Sequence, residues 1–385
     1  MTMATNNNPL LNCPPLRFPE FSDPWQQSTL GEVAEINPPT ENVLPHKFRY
    51  IDLGTVEKGV LLKHNVISKD NAPSRAQRLL KDHDVLFQMV RPYQQNNLYF
   101  RPVENIPSVA STGYAQLRSF QSGRFLYYAI HSATFLGEVL NRCTGTNYPA
   151  INATDLSSLP LSLPSLDEQR KIAEFLSLID ERIETQRQTI EERKKQKKAL
   201  LHQIFSQSLR FPNFSAPWQQ TTLGEVCTIK TGKLDANAMV EDGSYLFFTC
   251  AKQTYQTDTY SFSGEAILIA GNGEVGLTKY YNGKFNAYQR TYVLQSLSSD
   301  VILLFIKNHI DYTLPKRIIS FLNGSAMPYI TLSTLSDMPI CLPSLEEQRK
   351  IAKLLAIFDE RIEAEEALLK CYESQKRYLL RQMFA

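Results

Sequence analysis

The seven residues Arg91-Pro92-Tyr93-Gln94-Gln95-Asn96-Asn97 gather the side chains that read the edges of nucleic-acid bases. Arginine and lysine pair with guanine, asparagine and glutamine pair with adenine, and further basic groups hold phosphates. The run follows DVLFQMV (84–90), an apolar stretch that reads as a β-strand. Ser111-Thr112-Gly113-Tyr114 has the character of a matching turn on a neighbouring strand, adding Thr112 and Tyr114 to the candidates. Comparable stretches recur in the second half: Ala251-Lys252-Gln253-Thr254-Tyr255, Gly271-Asn272-Gly273-Glu274 and Tyr288-Gln289-Arg290. From these, Lys252, Gln253, Tyr255, Asn272, Gln289 and Arg290 are candidate readers, with Lys233 beside them. Lys230, Lys233, Lys279 and Lys284 are candidates for holding phosphate. The chemistry is recognition by hydrogen bond and charge. An ordinary polar β-turn is the plainer reading of each segment taken alone.

Motifs that promise catalysis are incomplete. Asn37-Pro38-Pro39-Thr40 resembles the (N/D)PP(Y/F) loop of adenine methyltransferases. It lacks the aromatic that stacks on a flipped base, and no glycine-rich cofactor loop precedes it, so it reads as a turn. Thr231-Gly232-Lys233 resembles the tail of a P-loop, but Leu234 stands where serine or threonine belongs. Gly271-Asn272-Gly273 with Gly276 has glycines suited to an anion cradle, yet no nucleotide motif surrounds it. Asp82-His83-Asp84 reads as a polar turn before a strand. The six histidines show no HExxH or similar spacing. The six cysteines show no CxxC, which points to free thiols in a reducing compartment.

The elements that must carry these turns come in two sets, because the sequence is written twice. Residues 16–33 and 209–226 are identical at 15 of 18 positions, and residues 163–184 and 342–363 at 16 of 22. Between these constant ends the inserts, 34–162 and 227–341, scarcely resemble each other. One scaffold carrying two different readers fits that pattern. Each insert alternates apolar runs with turn residues and predicts strands: KFRYIDLG, DVLFQMV and GYAQLRS, then YLFFTCA, AILIAGNG and RTYVLQS. Helical pieces follow at 124–143 and 300–322. The turns Gly145–Pro149 and Gly324–Pro328 return each insert to its closing segment, a structural role, with phosphate contact by a Gly/Ser loop the alternative.

Each copy ends in a long helix. Ser165 with Glu168, and Ser344 with Glu347, form S-x-x-E capping boxes after Pro164 and Pro343. Beyond them a 4-3 spacing runs through Ile172, Leu176, Ile179, Ile183, Gln186, Ile190, Arg193, Lys197, Leu200 and Ile204. The second copy repeats it through Ile351, Leu355, Phe358, Ile362, Glu365, Leu369, Tyr372, Lys376, Leu379 and Met383. That is a coiled-coil seam, with polar positions that set register. About 40 residues make a rod of roughly 60 Å. If the second helix returns along the first, the pair is antiparallel, has a pseudo-two-fold axis, and spaces two readers like a ruler. The run 191–198 is densely basic; a solvated helix face is the default reading, and contact with DNA or a partner subunit the functional one.

Composition bounds the possibilities. With 385 residues there is room for two domains, and 20 Phe and 18 Tyr argue for packed cores. A net charge of +2 rules out bulk polycation binding, so nucleic-acid affinity must come from local clusters. The start lacks the charge-then-apolar order of a signal peptide, and no run of 18 apolar residues offers a membrane span. A cytoplasmic location is expected.

Two divergent domains alternating with two copies of LPSLxEQRKIAxxLxxxDERIE, each copy opened by a Pro/Trp…TLGEV segment, resemble the specificity subunit of a type I restriction-modification system. The likeness covers almost the whole chain past Leu16. It implies an α+β protein with a flexible tail (1–15), a target recognition domain (16–163), a spacer helix (164–207), a second recognition domain (208–342) and a second spacer helix (343–385). The helices would pair as an antiparallel coiled coil. The resemblance also implies double-stranded DNA as ligand, read as a bipartite asymmetric target, with VRP-loop and STG elements recurring in such domains. Partners would be two modification subunits that bind S-adenosylmethionine and methylate adenine, and restriction subunits using ATP and Mg. This chain would have no catalytic residue, metal or cofactor of its own. The alternative is a two-headed coiled-coil adaptor whose heads bind proteins.

Overall fold

The matched ends of each copy are each other's partners. In a computed structural model, describing residues 13–40, 44–321 and 329–384, Gln26–Thr29 pairs antiparallel with Pro160–Leu163. Gln219–Thr222 pairs in the same way with Pro339–Leu342. Each divergent insert is thereby closed by a two-stranded clasp made from the constant sequence. The LGEV that follows is one helical turn, Leu30–Val33 or Leu223–Val226. Its glutamate accepts from the capping threonine's N–H, at 2.8 Å for Glu32 and 2.9 Å for Glu225.

Of the expected capping boxes on the long helices only half forms. Ser165 and Ser344 accept from the backbone N–H of Glu168 and Glu347 at 3.4 Å. The two carboxylates turn elsewhere. Glu168, fully buried, takes Arg17 through two contacts of 2.7 Å and lies 3.4 Å from Trp25 Nε1. Glu347 takes Arg210 at 3.1 and 2.8 Å. A bidentate charged pair in a buried site outweighs one backbone bond, which accounts for the recurrence of LRFP with LPSLxEQ. The neighbouring glutamines, Gln169 and Gln348, are buried and donate to the carbonyls of Pro164 and Pro343 at 3.0 Å.

Two compact units result. One comprises Met1–Gln186 with Leu368–Ala385, the other Arg187–Ala367, so each takes part of both long helices. In the first unit one sheet runs in the order Ala34–Ile36, Tyr114–Ser119, Val85–Gln88, Leu98–Tyr99, all antiparallel. The second unit repeats that order with Cys227–Thr231, Thr291–Ser296, Phe262–Ala270 and Thr278–Ala287. Inserts without sequence resemblance thus share a four-stranded frame. The first adds a separate sheet (Val66–Ser68, Lys47–Ile51, Ser108–Ser111, Ala76–Leu79), and the second widens the same one with Tyr245–Phe248 and Tyr255–Thr257. The helical piece expected at 124–143 is two helices, Gly123–Ala129 and Ala133–Asn141. Ser132 starts the second by accepting from Phe135 N–H. Its counterpart, Leu303–Phe321, runs through Pro315.

The long helices span Leu166–Phe205 and Leu345–Met383. Every predicted seam position is buried or half-buried. In the first unit Ile172, Leu176, Ile179 and Ile183 join one apolar cluster with Leu379 and Met383. Asp180 pairs with Lys376 at 2.6 Å, and Arg182 lies over Tyr372. In the second unit Leu201 and Ile204 cluster with Ile351 and Leu355, while Lys194 pairs with Glu366 and Lys197 with Asp359. In both units rising numbers on one helix meet falling numbers on the other, so the pairing is antiparallel. Lys197 and Lys376 are equivalent positions, as are Asp180 and Asp359. Each copy's aspartate therefore meets the other copy's lysine. Within the basic run, Lys194 and Lys197 are spent on these pairs, while Lys195 and Lys198 stay exposed. Among the described residues no helix is long and apolar enough to cross a membrane. The tail residues 1–12 and the turn Gly324–Pro328 lie outside the described residues.

Candidate nucleic-acid interface

In the first unit the strand Val85–Gln88 ends at a loop that bends sharply twice. Arg91 (φ 54°) and Gln95 (φ 51°) are left-handed and flank a 3-10 turn, Pro92–Gln94. Non-glycine residues hold that conformation only when the surroundings enforce it. Arg91 N–H donates to Pro149 O at 2.7 Å, and its guanidinium lies 4.3 Å from the centroid of the Tyr148 ring. Met89 N–H donates to Gly113 O, Thr112 N–H to Arg75 O, and Lys58 N–H to Asn96 Oδ1. Four loops are so joined around Arg91. Tyr93 (52% exposed), Tyr148 (64% exposed), Gln94, Lys58 and Arg75 present side chains to solvent.

Two candidates face inward instead. Asn97 is buried; its Oδ1 accepts from Gln88 N–H at 2.8 Å and its Nδ2 lies 3.3 Å from His131 Nε2. Tyr114 is fully buried, and its hydroxyl donates to Asn96 O. Asn97 precedes the strand Leu98–Tyr99 and Tyr114 opens the strand Tyr114–Ser119, where the sheet claims the side chain first. Asn96, half-buried, spends its oxygen on Lys58 N–H of a neighbouring loop. Asn97 and Tyr114 shape the loop and do not present base-reading groups. His131 donates from Nδ1 to Tyr127 O at 2.6 Å, leaving Nε2 as the acceptor for Asn97. Burial pushes its pKa down to about 4, so it is neutral here.

The motifs set aside as turns have structural work. Asn37 N–H donates to Gln116 O, and its Oδ1 accepts from Gln116 N–H. Asp84 is buried against Arg118, two contacts of 2.9 Å, and Gln116. A Cβ at Gly232 would sit 1.9 Å from Ala287 O, so close backbone approach, not phosphate, demands that glycine.

The second unit places its loops on the same frame. Gly271 N–H donates to Arg290 O, as Met89 does to Gly113, and Ile330 N–H to Gly271 O, as Ile151 does to Met89. The 271–276 loop thus stands where 90–97 stands in the first unit. Glu274 ties in the 250–253 loop through Cys250 O and Lys252 N–H, and Gln289 N–H donates to Leu234 O. Lys233, Lys252, Gln253, Gln289 and Arg290 are exposed on this group of loops, with Asn272 and Tyr255 half-buried among them. Lys279, expected as a phosphate contact, is drawn inside. Its ammonium donates to Ala251 O, Gln253 O and Thr254 Oγ1, and burial lowers its pKa. Lys284 lies over the Tyr260 ring.

Lys58, Arg75 and Tyr148 were not singled out from the sequence. They reach the Arg91 loop only through tertiary hydrogen bonds, for which no spacing in the chain gives a signal. Tyr148 sits in a turn read as structural rather than base-reading. The turn does pair, Thr144 with Ala150, but it also supplies the ring beneath Arg91.

A sequence profile described as the type I restriction modification DNA specificity domain matches residues 22–193 and 216–371. Over 155 residues the chain is 39% identical to the type I restriction enzyme EcoDI specificity subunit of Escherichia coli, covering 40% of this chain but only 34% of that protein. It is 25% identical over 276 residues to a putative type I specificity subunit of Mycoplasma pneumoniae, covering 68% of this chain and 72% of that one. A crystal structure of a type I restriction-modification S subunit from M. genitalium superposes with a TM-score of 0.64 at 19% identity, covering 97% and 99% of the two chains.

Proposed function

Because the chain belongs to the type I restriction-modification DNA specificity family, we propose that it is the sequence-reading subunit of such a complex, contributing recognition and no catalytic group. Each clasped insert reads one half of a bipartite, asymmetric duplex target. Modification subunits holding S-adenosylmethionine methylate adenine in that target, and restriction subunits using ATP and Mg complete a cytoplasmic assembly. The paired helices act as spacer and docking surface. The observation that carries the reading is the repeated frame: the same four strands hold joined loops whose exposed side chains differ between the copies. Unlike loops on like frames cannot read the same half-site, so the target is not a palindrome.

The test is the methylation pattern of native genomic DNA with the gene intact and deleted. Loss of one gapped, asymmetric, adenine-methylated motif on deletion is expected. An unchanged pattern, with purified complex that binds duplex no better at low than at high salt, would instead favour the protein-binding adaptor.

A further inference from the structure

We propose that the Arg91–Asn97 loop reads a guanine, because Gln88 fixes the Gln94 amide with its N–H donors outward, on the loop that also carries the donor-only guanidinium of Arg91. This rests on the DNA-reading function proposed above.

Gln88 was not among the candidate readers, and it is buried at 1% exposure. Two of its partners are backbone groups whose roles cannot change. Asn96 N–H donates to Gln88 Oε1 at 3.0 Å, and Val90 O accepts from Gln88 Nε2 at 2.8 Å. Flipping the Gln88 amide would set donor against donor and acceptor against acceptor. Its orientation is therefore settled by the main chain. Gln88 Nε2 also donates to the Gln94 side chain at 2.8 Å, so the Gln94 atom facing it is the acceptor Oε1. The NH2 group of Gln94 is then the outer end of an exposed side chain.

Glutamine reads adenine by using donor and acceptor of one amide together. With its oxygen turned inward, Gln94 is not set for that pairing. Arg91 is a donor at any pH, and its plane is held against Tyr148. Two donor groups on one loop match a base edge that offers two acceptors. In the major groove that edge is guanine, N7 and O6, whereas thymine offers only O4 beside a methyl.

The experiment uses the assembled modification complex with the full chain, its target taken from genomic methylation. Equilibrium binding is measured to duplexes varied one base pair at a time, for the unaltered protein and for Gln94→Glu. Glutamate keeps an acceptor toward Gln88 and exchanges the outward NH2 for an oxygen; its added negative charge weakens binding to every duplex alike, so the readout is base preference and not affinity. The expected result is a loss of about fivefold or more in preference at one G·C pair of one half-site. 7-deazaguanine at that pair, which removes the N7 acceptor, should weaken the unaltered complex. Unchanged preferences at every position, or a change confined to an A·T pair, would overturn the assignment while leaving sequence-specific binding intact. Duplex binding without any sequence preference in the unaltered complex would remove the DNA-reading function and this inference together.

Discussion

Arg17 and Arg210 each neutralise a carboxylate that water hardly reaches: the side chains of Glu168 and Glu347 are 0% and 2% exposed. Arg17→Met would leave Glu168 charged and unpaired. A loss of about 3–5 kcal/mol is expected, and adding Glu168→Leu should restore much of it, because an apolar pair avoids the desolvation cost. The chain has two tryptophans, one beside each pair, so denaturant midpoints read from Trp25 in a Trp218→Phe background check this directly. The buried histidines set a pH response. His131 and His309 are both pushed down to about 4 by burial, against 6.5 for a free histidine. Between those values the unfolded chain binds protons that the folded chain refuses. Stability from this source is complete above pH 6.5 and is lost as pH falls toward 4, by roughly 1.4 kcal/mol per pH unit for each histidine. Urea titrations at pH 7 and pH 5 should show the fall, and His131→Gln should flatten part of it. At this scale the sequence singled out the residues of a loop but not the direction of its side chains. Gln94 is exposed and Arg91 is half-buried over the exposed Tyr148 ring, while Asn97 and Tyr114, of the same polar vocabulary, are claimed by the sheet beneath.

Elements were more legible than residues, since periodicity is a local property and a seam of 4-3 spacing leaves few alternatives. The helix ends were half legible: Ser165 and Glu168 have capping-box spacing, but the partner that diverts Glu168 lies 151 residues away. The frame common to both inserts was not legible at all, because strand order is fixed by long-range pairing that different side chains satisfy equally well. Two predictions belong here. Gly232→Ala forces a methyl into the Ala287 carbonyl, so it should cost about 1–3 kcal/mol, seen as an earlier Trp218 unfolding transition. In the coil, Asp180→Lys sets two cations together beside a half-exposed seam. It should cost about 1 kcal/mol or more, since the buried Tyr128 hydroxyl also loses its acceptor, and Asp180→Lys with Lys376→Asp should recover only the ion-pair part, a coupling measurable by a double-mutant cycle.

For the molecule as a whole, the clasp makes each insert a self-contained cassette. The strands Gln219–Thr222 and Pro339–Leu342 close on each other whatever lies between them. Replacing residues 227–341 with the insert of another family member should therefore change one half of the methylated motif and leave the other half as it was. Methylation sequencing of a strain carrying the chimaera reads the outcome; changes in both halves would show that the two readers are not separable.

The crossed aspartate–lysine pairs bear on how such a gene can change by descent. Asp180 answers to a lysine written in the other copy, and Asp359 to one written in the first. A change at one of these positions is therefore felt by the other copy, and the ends as they stand are alike. Alike ends are also where recombination finds its register, and a crossover there trades one insert for another without disturbing clasp, ion pair or frame. New specificity then arrives as a whole reader acquired in one step, and the constancy of the scaffold is what makes the variety affordable.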